Sequence, residues 1–85
     1  MLLTNEQATG IAFDAVKEYG ILDATEDTVI FDPFDGFGSR LDSLASVEVL
    51  LYCEDRLERD YGVKVDIQPG TAKTVGSLRD FLLTL

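Results

Sequence analysis

Apolar residues recur at helical spacing in three stretches of the chain, and the longest begins at Leu44. From there Val47, Leu50, Leu51 and Leu57 form a stripe, flanked by Val49, Tyr52 and Cys53. The intervals are those of a helix, not the alternation of a strand. Asp42 and Ser43 stand just ahead, and their short polar side chains can accept hydrogen bonds from the free amides of a first turn. The pattern stops at Tyr61-Gly62, where glycine can take the left-handed conformation that closes a helix. The spacing predicts a helix from about Leu44 to about Tyr61, roughly 27 Å long.

The first stretch reads Ala8, Ile11, Ala12, Ala15, Val16 and Tyr19 on one face, with Asp14 and Lys17 opposite. Thr4 is placed to cap it, with Gln7 three residues on, and Gly20 ends it. Gly10 is either a point of close helix contact or a tolerated glycine. The last stretch places Leu78, Phe81, Leu82 and Leu85 at helical spacing behind Thr74 as cap. A helix this short must be held by packing.

Residues 21–41 form a long connection, with turn signals at Asp32-Pro33 and Asp35-Gly36. Ile21, Leu22, Val29, Ile30, Phe31, Phe34 and Phe37 make it too apolar for a free linker. These residues either cover one end of a bundle, the commoner use of such side chains, or line a pocket for an acyl chain. A short extended piece is expected around Thr28 to Phe31. Val63-Lys64-Val65 reads as a brief extended segment, and Pro69-Gly70 as a turn. The expected fold is all-α: a small antiparallel three- to four-helix bundle with a long first loop, one domain over residues 1–85.

Charge narrows the function. Sixteen acidic and seven basic residues give a formal net charge of −9. Nucleic acid and anionic membrane are disfavoured as partners, and a basic protein surface is favoured. Histidine is absent, which excludes a Ser-His-Asp triad, a Cys-His pair and a histidine-ligated zinc. A single cysteine, Cys53, rules out an internal disulfide and fits a reducing compartment; burial as a small apolar side chain is its expected role. Asp32 and Asp35 do not have calcium-loop spacing, so no metal is expected. No stretch approaches the ~20 apolar residues of a membrane span, and the N-terminus does not read as a signal peptide. A cytoplasmic monomer is the expectation. No catalytic constellation is present, so an enzyme is not expected.

Asp42-Ser43-Leu44 followed by Val47-Glu48 resembles the signature of the acyl carrier protein family. The likeness continues through Leu57-Glu58-Arg59-Asp60-Tyr61-Gly62-Val63-Lys64-Val65, and resumes at Thr74-Val75-Gly76-Ser77-Leu78-Arg79-Asp80-Phe81. The interval from Ser43 to Tyr61 is about one helical turn longer than in carriers of fatty-acid synthesis. It is more similar to free-standing carriers with a lengthened second helix. The chain departs from the family pattern at Arg40, where glycine is common, and at Ala45, where an acid is common.

The resemblance implies that Ser43 carries a 4′-phosphopantetheine arm, with Asp42 and Leu44 beside it. A helix N-terminus suits a phosphodiester, because its free amides carry partial positive charge. Ser46, one turn on, and Ser39, in the loop before, are the fallbacks. The resemblance also implies docking of the acidic helix through Val47, Glu48, Glu54 and Asp55. The implied partners are a phosphopantetheinyl transferase, an acyl-loading or adenylating enzyme, and a ketosynthase or acyltransferase. The pathway would be fatty-acid-like, polyketide or other secondary metabolite biosynthesis. Such a protein supplies no acid, base or nucleophile; it tethers cargo and raises its effective concentration. Arg56 and Arg59 are placed to pair with acids one turn away. The alternative is a small acidic helical protein that inhibits a basic nuclease or toxin, which needs only the bundle and the charge.

Overall fold

The capping residues set where the helices begin. In the computed structural model, residues 2–31 and 41–85 are described, and of Ser43 the backbone alone. Three helices stand among them: α1 (Asn5–Glu18), α2 (Ser43–Tyr61) and α3 (Val75–Leu82). Thr4 Oγ1 accepts from the Gln7 amide at 3.1 Å while Gln7 Oε1 accepts from the Thr4 amide at 2.9 Å. This capping box satisfies two backbone donors at once. Thr74 and Ser77 repeat it at the start of α3. Gly62 closes α2 at φ 69°, and its amide reaches the Glu58 carbonyl at 3.0 Å.

Helix α1 packs against both other helices, so the first helix, not the longest one, is the centre of the bundle. Its Ala8, Ile11, Ala12, Ala15 and Val16 are all buried. The three alanines keep that face narrow and let neighbours approach closely. Asp14 of α1 meets Arg56 of α2, and Tyr19, the residue that caps the end of α1, lies near Glu48 and Tyr52. The two helices therefore run antiparallel. Arg56 is the junction: it donates to Asp14 at 3.2 Å, to Asp60 at 3.0 Å and to the Tyr52 hydroxyl at 3.1 Å. The Tyr52 bond, then those to Asp60 and Asp14, outweigh partial burial and hold its guanidinium pKa above the usual value. Arg59 pairs with Asp55 one turn back, as the spacing predicts.

Among the described residues, the expected extended piece at Thr28–Phe31 is a single antiparallel bridge, Val29 to Thr74, with no longer ladder. The Ile30 amide donates to Lys73 O at 2.8 Å, the Val75 amide to Thr28 O at 3.1 Å and the Gly76 amide to Glu26 O at 2.9 Å. These bonds stitch the first connection to the start of α3. Arg79 adds an ion pair to Glu26. Ile21 and Ile30 are buried, whereas Leu22 is 76% exposed and covers nothing. Asp32, Pro33, Phe34, Asp35, Gly36, Phe37, Gly38, Ser39 and Arg40, which carry the turn signals, two aromatics, one fallback serine and one departure from the family pattern, lie outside the described residues.

Between α2 and α3 there is no helix. Pro69-Gly70 forms the expected turn, with Gly70 at φ 90° and the Thr71 amide donating to Gln68 O at 3.1 Å. Proline lacks an amide donor and glycine here adopts a conformation that L-residues avoid, so a helix cannot run through this point. Ile67 and Ala72 anchor the segment in the core. Gly10 is not a contact point: a methyl group there would meet nothing within 4 Å. Among the described residues no helix is long and apolar enough to cross a membrane.

Candidate functional site

The candidate site is the first turn of α2. Asp42 is extended (φ −72°, ψ 174°), and its Oδ1 accepts from the Ala45 amide at 2.7 Å. Its carbonyl accepts from the Ser46 amide at 2.9 Å, which begins the helix ladder. Residue 43 is therefore the first helical residue, one earlier than the apolar spacing predicts. Asp42 and Leu44 on either side of it are exposed, Leu44 at 68%. The direction of the Ser43 side chain lies outside the described residues.

The fallback at Ser46 is overturned. Ser46 is only 6% exposed, and its hydroxyl donates to the carbonyl of Ile30. It is a core tie, closed to any transferase.

The buried stripe of α2 is also not the one the leucines suggest. Ser46, Val49, Leu50, Cys53 and Leu57 face the core. Leu44 and Leu51, seven residues apart, share an outer face, where Leu51 is 52% exposed. Intervals of three and four residues run through Ser46 and Cys53, whose small side chains do not announce themselves as core. Cys53 is fully buried, as expected, and burial pushes its thiol up to about 12. It is inert as a nucleophile.

Beside the exposed leucines stand Glu48, half-buried, and Asp55, exposed and paired with Arg59 at 3.2 Å. Glu54 accepts from the Ile67 amide at 2.8 Å, so its carboxylate holds the following segment in place. Val47 is half-buried at the edge of a cleft bounded by Ile30, Phe31, Leu50, Gly70 and Ala72. The Phe31 ring closes this cleft, lying 3.5 Å from where a Cβ on Gly70 would stand. Its free volume is about 10 Å³, room for a single water molecule and not for an acyl chain. The sequence reading missed Leu51 as a surface residue. Its seven-residue offset from Leu44 was the available signal.

No family model, no curated protein and no solved structure matches the chain.

Proposed function

We propose that the chain is a discrete acyl carrier protein that holds acyl groups as thioesters on a 4′-phosphopantetheine arm at Ser43. The observation that carries the reading is the start of α2: Ser43 is the first helical residue, behind a capping Asp42 and beside an exposed Leu44. A phosphodiester there would meet the partial positive charge of the helix N-terminus. The arm, not the protein, brings the reactive thiol, and the protein acts as tether. On this reading the chain is not an enzyme.

Partners would dock on the outer face of α2. Leu44 and Leu51 supply apolar contact, while Glu48 and Asp55 orient a basic partner more than they add affinity. That description suits a phosphopantetheinyl transferase, a loading or adenylating enzyme, and a ketosynthase or acyltransferase.

The test is to incubate the chain with coenzyme A, magnesium and a broad-specificity phosphopantetheinyl transferase, then weigh it. The expected result is a gain of one phosphopantetheine, abolished by Ser43→Ala and retained by Ser46→Ala. An unchanged mass, or a gain that survives Ser43→Ala, overturns the reading. Tight binding to a basic nuclease or toxin that ignores Ser43→Ala would favour the inhibitor instead.

A further inference from the structure

Ile30 is bonded in two directions at once. Its amide donates to Lys73 O at 2.8 Å, just ahead of α3, while its carbonyl accepts from the Ser46 hydroxyl of α2. The Ser46 amide in turn donates to Asp42 O at 2.9 Å, which closes the turn containing residue 43. A run of hydrogen bonds therefore leads from the threshold of α3 to the first turn of α2. Among the described residues the backbones of α2 and α3 do not meet; each packs on α1. The first connection is what spans them.

Its grip on α3 is broad. The Val75 amide donates to Thr28 O at 3.1 Å, the Gly76 amide to Glu26 O at 2.9 Å, and Arg79 pairs with Glu26. Its grip on α2 runs through a buried hydroxyl and a buried carbonyl, groups that are costly to leave unmade. Both grips meet in one residue, whose N–H and C=O turn on the same Cα through two soft dihedrals. A shift of Ile30 that breaks one bond therefore disturbs the other. We propose that residues 26–31 act as a strap with two states, seated and released, that couples the start of α3 to the turn presenting residue 43. Whatever grips or loosens the strap at α3 then tightens or frees that turn without touching it, and the coupling runs equally in reverse. The device does not depend on what Ser43 carries.

The experiment follows amide hydrogen exchange residue by residue in four variants. Gly76→Ala pushes on Glu26 at the α3 end, and Arg79→Gln is the milder perturbation there, removing the ion pair to Glu26. Ser46→Ala cuts the α2 end. Ile11→Val lowers stability through lost core packing and leaves every bond of the strap in place. Gly76→Ala should speed exchange at Ile30 and at position 46 by about tenfold relative to Cys53 in mid-helix. Arg79→Gln should do the same by about twofold. Ser46→Ala should speed exchange at Val75, the reverse direction of the same coupling. Combining either α3-end change with Ser46→Ala should add nothing further at position 46. An unchanged rate at position 46, an equal local effect from Ile11→Val, or full additivity with Ser46→Ala would each overturn the proposal.

Discussion

The Ser46 hydroxyl donates to the Ile30 carbonyl at 2.5 Å, joining the second turn of α2 to a point 16 residues earlier in the chain. Both groups are buried. The bond ties the first connection to the helix that carries the candidate site. Removing the hydroxyl leaves a buried carbonyl unsatisfied, at a cost of about 1–3 kcal/mol. Ser46→Ala should therefore lower the urea midpoint with an unchanged denaturant slope, and should not prevent modification at Ser43. An unchanged midpoint would show that water replaces the bond.

The Asp42 cap gives a second expectation. Its carboxylate oxygen satisfies the Ala45 amide at 2.7 Å. Asp42→Ala should cost about 1 kcal/mol and fray the turn that holds residue 43. Asp42→Asn keeps an acceptor at the same place and should stay close to the parent. Thermal unfolding gives the stability difference, and amide exchange at Ala45 locates it. Equal losses in both variants would mean that charge, not capping, is what the aspartate contributes.

Two glycines should respond in opposite directions to alanine. Gly10 lies inside α1 with open space around it, so Gly10→Ala should stabilise by about 0.5–1 kcal/mol through helix propensity alone. Gly76 is buried against the first connection, and a methyl there would stand 3.0 Å from Glu26 O and 3.2 Å from Glu26 Cβ. The neighbour is tied by the Gly76 amide itself, so it cannot retreat without losing that bond. Gly76→Ala should destabilise by about 1–3 kcal/mol. Parallel thermal melts of the two variants decide it.

What could be read from the residues was local. Thr4 with Gln7, Asp42, Gly62 and Thr74 place the helix ends within a residue or two, because capping is settled by nearest neighbours. Pro69-Gly70 likewise announces its own turn. The inner face of α2 was misread, because hydropathy ranks Leu44 and Leu51 above Ser46 and Cys53. Which residue is buried there depends on Ile30, far away in sequence. The Arg56–Asp14 pair, 42 residues apart, is invisible for the same reason. At the candidate site, a serine opening a helix was legible. That Glu54 turns inward to hold Ile67 was not, since a carboxylate in a charged run gives no sign of a bond to a later loop.

Cys53 supplies a prediction in pH. Its thiol is shifted from an ordinary value of 9.0 up to about 12, mainly because burial penalises the thiolate. In the unfolded chain the thiol ionises from about pH 9, while in the folded chain it stays protonated. The unfolded state therefore gains from alkalinity first. The contribution is whole below pH 9 and is lost as pH rises through the window between the two values. The slope approaches about 1.4 kcal/mol per pH unit. Cys53→Ala lacks this titration, although it leaves a cavity that lowers stability at every pH. Other groups ionise in the same range, so the measurement is a difference. Urea unfolding of parent and variant at pH 7.5, 9 and 10.5, on the order of the window above, should show the gap between them narrowing as pH rises. A constant gap would mean that the thiol reaches solvent in the folded state, and that the core around α2 opens more readily than its packing implies.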